Sequence, residues 1–338
     1  MKKMRSILLV TLLITISVVV ILRIDPKRYK SDRYTVTEEI IIEDYWKDNT
    51  LKITRVTESS EEGTAVRIPT DIMMKDDRLL IFNSKGNNII EINMAGEMQN
   101  IYPTIPNSIN SGLGVKDGYL YYKTPWEVYG LDLSSKESRK VFTGSIGLAS
   151  FDKSSNTFYI IDSLFENVTI IKGDKVSKAL NMNDVFANNG LPRPRGHRRL
   201  FKGHYIYSPT EFKYITSEEA YFESESYTKD LLVINIATQK IESINSKGEE
   251  FGYYILGIDN ERRIYTATSL NVDRILIHDK HGNFLLEIKP ECAQYGKPVS
   301  SIYDELLVHP VYITEDGHIF IMIQSEEGTF IVRYTHSA

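Results

Sequence analysis

Cysteine is almost absent from this chain. Cys292 stands alone, which excludes an intramolecular disulfide and a cysteine zinc cluster and leaves no staple to report the redox compartment. With no catalytic partner in the sequence, it reads as a small buried or loop residue. A strong excess of one charge is absent too. A net charge of −5 over 338 residues argues against a general polyanion binder, so no nucleic-acid partner is expected. Beyond the N-terminal region no segment shows a long helical period. The Gly-x-Ser-x-Gly elbow, the phosphate loop, the dinucleotide fingerprint and the His-Glu-x-x-His pair are all missing, so no motif assigns a reaction. The histidines offer no pair spaced for zinc. His204 and His318 fall at strand starts, where a structural role is expected.

What the chain does have is apolar and aromatic substance. Apolar residues make up 42% and charged residues 25%, the balance of a globular protein with a large core. The 21 Tyr and 13 Phe favour strands. One apolar run, 7–22, follows Lys2, Lys3 and Arg5 and is interrupted only by Thr11, Thr15 and Ser17. A charged start before an apolar stretch is how a secretory signal begins. No small-x-small cleavage site and no lipid-bearing cysteine follow it. The expectation is an uncleaved signal anchor over residues 1–24, a transmembrane helix holding the rest at the membrane; a cleaved signal peptide is the alternative. Arg23, Lys27, Arg28, Lys30 and Arg33 follow the run, so flanking charge does not decide orientation. Long domains translocate largely regardless of it, and the bulk is expected outside the cytoplasm. Residues 25–37 read as a polar linker.

From residue 38 onward the chain alternates short apolar runs with Asp, Asn, Gly and Ser breaks, the all-β pattern. One signature returns about six times at intervals that begin near 40 residues, the length of a four-stranded blade. A polar pair is followed by an aromatic, β-branched strand. It reads Asp76-Asp77 before Leu79-Leu80-Ile81-Phe82, then Asp117-Gly118 before Tyr119-Leu120-Tyr121-Tyr122. It returns at Asn156, Gly203, Asn260 and Asp316-Gly317. An aliphatic third strand follows in each unit, for example Asn88-Ile89-Ile90-Glu91-Ile92-Asn93 and Leu231-Leu232-Val233-Ile234-Asn235-Ile236. The last unit ends after its third strand, Phe330-Ile331-Val332-Arg333-Tyr334, and an unpaired edge there is unfavourable. Two N-terminal segments, 39–43 and 51–56, could fill it. The expectation is therefore an all-β, six-bladed β-propeller over 38–338, closed by an N-terminal strand. Seven blades or two sandwiches are the alternatives.

The stretch Ser84-Lys85-Gly86-Asn87-Asn88-Ile89-Ile90-Glu91-Ile92-Asn93-Met94-Ala95-Gly96-Glu97 resembles the repeat of NHL-type and related TolB-like six-bladed propellers. That family mixes binding modules, lactonases and lyases, so the fold selects no function. The resemblance implies that ligands meet the face formed by two sets of loops. One set joins the fourth strand of a unit to the next unit (104–112, 181–196, 291–305). The other joins second to third strands (83–87, 123–127, 162–166, 208–228, 268–273). Long loops of this kind are often functional.

The densest chemistry is Arg193-Pro194-Arg195-Gly196-His197-Arg198-Arg199. Guanidinium groups bind carboxylate or phosphate in two-pronged fashion, and strand alternation would send Arg195, His197 and Arg199 to one side. Arg193, Arg195, His197 and Arg199 are thus candidates for an anion site; a solvated basic loop paired with an acidic insertion at 218–225 is the plainer reading. Trp126 is a candidate ligand contact, although packing within a blade would also account for it and for Tyr129. Asn183, Asp184 and Asp304 are candidate ligands for a divalent cation such as calcium, with Asn181, Asn188 and Asn189 nearby. Asn-rich loops also form for turn reasons alone. No other cofactor is expected. The functional expectation is a membrane-tethered extracytoplasmic binding module for a peptide, glycan or small anionic ligand. The alternative, carried by the resemblance, is a lactonase-like hydrolase or lyase with a divalent cation in the central channel.

Overall fold

The polar pair of each repeat sits where the backbone needs it. Asp76, Asp117 and Asn156 have φ of 55°, 50° and 51°, and Gly317 has φ of 88°. Asp, Asn and Gly enter this left-handed region at low cost, and β-branched residues do not. A tight turn therefore forms at the same place in successive units, and an antiparallel pair folds back from it.

A computed structural model describes residues 28–30, 35–45, 50–53, 56–60, 63–67, 69–106, 110–153, 155–164, 166–173, 175–190, 219–223, 230–235, 239–252, 254–269, 271–296 and 309–337. The chain enters through β1 (Arg28–Lys30) and β2 (Thr35–Tyr45), then a separate hairpin, β3 (Val56–Ser60) and β4 (Gly63–Arg67). Blade I holds β5 (Asp71–Lys75), β6 (Arg78–Asn83), β7 (Asn88–Asn93) and β8 (Met98–Pro103). Blade II holds β9 (Ser111–Lys116), β10 (Tyr119–Lys123), β11 (Glu127–Asp132) and β12 (Ser138–Thr143). Blade III holds β13 (Leu148–Asp152), β14 (Thr157–Ile161), β15 (Asn167–Lys172) and β16 (Lys175–Asn181). A short helix, α1 (Met182–Asn188), follows. Next comes a three-stranded sheet of β17 (Glu219–Glu223), β18 (Asp230–Asn235) and β19 (Lys240–Asn245). The penultimate blade holds β20 (Tyr254–Ile258), β21 (Ile264–Ala267), β22 (Ile275–His278) and β23 (Phe284–Ile288). The chain ends in β24 (Val311–Ile313), β25 (Ile319–Gln324) and β26 (Gly328–Ser337).

The first strands of successive blades stand beside one another. β20 neighbours β24, β24 neighbours β5, β5 neighbours β9, and β9 neighbours β13. Sheets that share a hub through their first strands make a β-propeller. Five blades of four or more strands are present among the described residues.

Both faces of each blade are buried, which explains the near-continuous apolar strands. In β6, Leu79 and Ile81 pack toward the closing blade with Ile42, Phe320, Met322 and Ile331. Leu80 and Phe82 pack toward blade II with Leu120, Tyr122 and Leu131. Period-two alternation thus assigns each residue to one inter-blade core. The seam between blades II and III is aromatic: the Tyr121 ring lies 4.8 Å from Phe151 and 5.0 Å from Phe158. Gly112 in β9 is demanded by close approach, since a Cβ there would lie 2.4 Å from Met73 Sδ and 2.8 Å from the Phe82 ring.

The closing blade is built from both ends of the chain, in the order β1-β2-β26-β25-β24. β2 runs antiparallel to β26 from Thr35 opposite Ser337 to Tyr45 opposite Gly328, with a register shift between Ile40 and Ile42. Of the two candidate segments, 39–43 is thus the one that covers the edge left by the last unit. Strand structure begins earlier than residue 38, at β1 and the start of β2.

Two sequence expectations need correction. The 208–228 stretch is not all loop, because β17 lies within it and pairs with β18, Ala220 opposite Ile234. The partner of the 231–236 strand is therefore 219–223 rather than the aromatic segment after Gly203. Both segments carry strand-forming residues, and only long-range pairing separates them. The 181–196 loop likewise contains α1, capped where Asn183 N–H donates to Asn181 Oδ1 at 2.9 Å. The apolar run 7–22 lies outside the described residues. Among the described residues, no helix is long and apolar enough to cross a membrane.

Candidate functional site

The antiparallel order gives the propeller two unlike faces. The turns between first and second strands lie on one, called here the turn face. The loops between second and third strands, and the connections from blade to blade, lie on the other, the loop face.

On the loop face, blade II presents Trp126 at the tip of the β10–β11 loop, 63% exposed. The loop is pinned. Thr124 N–H donates to Glu127 O at 2.8 Å, and the Thr124 hydroxyl accepts from Trp126 N–H at 3.2 Å and Glu127 N–H at 3.0 Å. Gly144 N–H donates to Trp126 O and Ile146 N–H to Pro125 O, both at 2.8 Å. The backbone around the indole is thus satisfied before any ligand arrives. The sequence explains the tip: Pro125 sets φ and Thr124 supplies a short hydroxyl that mimics a backbone acceptor.

The neighbouring β14–β15 loop of blade III presents Leu164, 68% exposed. Asp162 Oδ1 accepts from Glu166 N–H at 2.9 Å, and Asp162 Oδ2 from Asn167 Nδ2 at 2.7 Å, closing this loop on itself. Ser145, in the connection that pins Trp126, is hydrogen-bonded through its hydroxyl to Ser163, beside Leu164. Two exposed apolar side chains therefore stand on adjacent, mutually bonded loop tips. Around Trp126, Glu127 is paired with Lys140 and accepts from the Tyr129 hydroxyl. Bonds from Lys140 and Tyr129 lower the Glu127 pKa against a smaller desolvation penalty. Burial and then Glu127 push the Tyr129 hydroxyl up to about 12.

Tyr129 is packed, 7% exposed and stacked 5.4 Å from Tyr122, whereas Trp126 is not. Asn183 and Asp184 occupy the first turn of α1, with Asp184 exposed. Asn189 Nδ2 donates to Val185 O at 2.7 Å and to Gln239 O at 2.8 Å, tying the end of this helix to the β18–β19 turn. Arg193, Arg195, His197, Arg199 and Asp304 lie outside the described residues, as does His204. No group of three or more His, Cys, Asp or Glu converges among the described residues. His318 bonds Asp316 on the turn face at 3.1 Å. Cys292 is buried, and burial followed by the charge of Asp273 raises its thiol to about 12, far from a reactive thiolate.

A strongly shifted carboxylate among the described residues is structural. Glu91 in β7 is fully buried. Its Oε1 accepts from Lys75 Nζ at 2.8 Å and Arg78 Nη1 at 3.3 Å, and its Oε2 from Asn100 Nδ2 at 2.8 Å and the Tyr102 hydroxyl at 2.7 Å. Burial works to raise its pKa, but the bonds from Lys75, Tyr102 and Asn100 prevail and hold it at about 2. With every lone-pair direction engaged, it ties all four strands of blade I and has no proton to exchange near neutrality. Asp259 does similar work at the penultimate blade's turn. It accepts from Arg263 Nε at 2.5 Å and the Tyr265 hydroxyl at 2.7 Å, and Arg263 reaches on to Asp316 O at 3.4 Å.

Two loop-face features escaped the sequence reading. Leu164 was open to detection as one of two neighbouring apolar residues, with Phe165, in an otherwise polar turn segment. Val272, buried with φ of 54° in the loop between β21 and β22, left no signal, because a β-branched residue is the least expected one in that conformation.

No family model matches the sequence, and no curated protein matches it. Among solved structures the chain is similar to a structural genomics protein of unknown function from Bacteroides thetaiotaomicron, at 11% identity and a TM-score of 0.52, covering 90% of this chain and 77% of that one. It is also similar to the calcium-binding protein regucalcin from Agrobacterium tumefaciens, at 11% identity, TM-score 0.46, and coverage of 78% and 88%. A third is a catalytically inactive virginiamycin B lyase from Staphylococcus aureus with quinupristin, at 11% identity, TM-score 0.46, and coverage of 83% and 98%. At such identities the likeness bears on the fold alone; the strand order and the shared hub of first strands make the chain a β-propeller.

Proposed function

We propose that this protein is a membrane-tethered extracytoplasmic binding module whose six-bladed propeller captures a peptide, glycan or small anionic ligand on its loop face. The observation that carries the reading is Trp126, 63% exposed at the tip of a loop whose backbone is already hydrogen-bonded. An indole held out to water on a stiff loop contributes nothing to the core and loses little freedom on binding, which suits recognition. In this reading the sheet β17–β19 is the outer part of a sixth blade, and the 7–22 run is the anchor. Arg193, Arg195, His197 and Arg199, which follow α1 in the chain, would extend the site toward anions.

The test is a fluorescence titration of the full chain, in detergent micelles or nanodiscs, with panels of peptides, oligosaccharides and small anions. A saturable ligand whose affinity falls in Trp126→Ala while the thermal midpoint stays unchanged is the expected result. Reproducible turnover of an ester or lactone, abolished by a single loop-face substitution, would replace binding with catalysis. Surface proteolysis of intact cells tests the location: cleavage of the propeller from outside is expected, and full protection would sink the extracytoplasmic placement.

A further inference from the structure

The connection 246–252, which leads from β19 to β20, lies as a strap along the penultimate blade. Lys247 N–H donates to Gly282 O at 2.8 Å, and Lys247 O accepts from Phe284 N–H at 3.0 Å, a parallel bridge opposite Asn283. Gly282 is demanded by this contact, since a Cβ there would lie 2.1 Å from Asn245 O. Further along, Gly252 N–H donates to the Thr266 hydroxyl at 2.8 Å. Phe251 packs with Leu231 of β18 and with Ile255 and Ile264 of the penultimate blade, so the strap joins the sheet β17–β19 to that blade. Between these ends Lys247, Glu249 and Glu250 are exposed. A segment with few buried contacts opens locally at low cost.

The tie at the middle of the strap is a histidine. His278, the last residue of β22, is fully buried, and its Nε2 donates to Glu249 O at 2.9 Å. A carbonyl only accepts, so Nε2 carries the proton and Nδ1 the lone pair. Nδ1 is buried too, and among the described residues no hydrogen-bond partner reaches it. The rings of Phe251 and Phe284 flank the imidazole at 4.4 Å and 5.6 Å. A second proton would enter at Nδ1 and leave a cation in this apolar slot without an acceptor, which burial opposes.

The charged groups around the ring are engaged elsewhere. On the strap, Glu249 is paired with Arg274 at 3.3 Å, and Lys247 and Glu250 are exposed. On the turn after β22, Asp279 accepts from His281 N–H at 2.8 Å, Asn283 N–H at 2.9 Å and Asn283 Nδ2 at 2.7 Å, while Lys280 and His281 are exposed. β21 sets Ile264 opposite His278 and has no charged residue, and Glu287 of β23 is paired with Arg274. Burial pushes the imidazole below the ordinary histidine value, against the bond to Glu249 O and the charges of Asp279 and Glu249. Above that ordinary value, about 6.5, the ring is neutral whether docked or released, and the tie acts in full. As the pH falls through it, a released ring takes the proton and a docked one resists, so the docked state loses ground.

We propose that His278 is an acid-released latch: neutral, it holds the 246–252 strap on the penultimate blade, and protonated, it lets the strap go. The other backbone ties of the strap, at Lys247 and Gly252, involve no titratable group.

Hydrogen–deuterium exchange on the full chain in nanodiscs tests it at pH 7.5 and pH 5.0, with labelling times scaled for the intrinsic pH dependence of amide exchange. Protection of the 246–252 amides is expected to fall severalfold at the lower pH, while that of blade I stays unchanged. His278→Gln keeps a side-chain donor and takes no proton in this range, so its strap should show no pH response. His281→Gln, at the exposed neighbouring histidine, should respond as the wild type does. A wild-type strap equally protected at both pH values overturns the inference. So does an undiminished acid response in His278→Gln, or its loss in His281→Gln. If His278→Gln fails to fold, the wild-type chain still decides. The NMR resonance of a buried imidazole must then titrate over the interval in which the strap opens, and opening without that titration overturns the latch.

Discussion

Glu91 and Trp126 are opposite uses of a side chain. Glu91 is buried and fully bonded. Removing it in Glu91→Ala strands Lys75, Asn100 and Tyr102, and the expected cost is about 3–5 kcal/mol in urea denaturation. Its folded pKa of about 2 lies below the ordinary carboxylate value. A depressed folded pKa stabilises the protein above the unfolded value and loses that contribution as pH falls through the folded one. Stability should thus decline between about pH 4.3 and pH 2, and Glu91→Gln should flatten that part of the curve. Trp126 shows the reverse: Trp126→Ala should leave stability within about 0.5 kcal/mol, since the ring is exposed, and should register only in binding. At Gly112 even a methyl group is too large, because it would meet Met73 and Phe82. Gly112→Ala is expected to cost about 1–3 kcal/mol by overpacking, read from the denaturation midpoint.

The elements depend on one another more than on their own propensities. β2 has a pairing partner only because β26 ends the chain one strand short, and its residues Ile41 and Ile42 then close the core against blade I. Ile42→Ala should cost about 2–5 kcal/mol, whereas Glu43→Ala on the exposed side of the same strand should stay within about 0.5 kcal/mol. Equal effects in equilibrium unfolding would mean that the strand does not close the ring. The loop between β21 and β22 holds Val272 in the left-handed region while burying it. Relief of about 1–3 kcal/mol of strain should make Val272→Gly less damaging than Val332→Gly, an equally buried valine in β26. A matched pair of melting curves decides it.

At the scale of the molecule, the ring separates what holds the fold from what meets a partner. The described blades pack their faces against each other, the start of β2 meets the end of β26 at the turn face, and the loop face carries the exposed tips. Much of this was legible in the residues. Asp76, Asp117 and Asn156 announced the turns because only certain residues accept their φ, and the short apolar runs between polar breaks announced the strands. That an N-terminal strand closes the last unit was legible because an unpaired edge is unfavourable, but the choice of 39–43 over 51–56 was made only by the pairing of β2 with β26. The partner of β18 was not legible, since 204–207 and 219–223 carry equally good strand patterns and the choice depends on contacts distant in the chain. Nor could sequence alone distinguish Trp126 from Tyr129, two aromatics three residues apart with opposite fates. Local sterics and alternation, both short-range, determined the repeating module and its closure from the sequence by itself. That the β10–β11 loop carrying Trp126 stands beside the β14–β15 loop carrying Leu164 was decided only by the tertiary structure, because adjacency across blades is a property of the packed sheets and of no single segment.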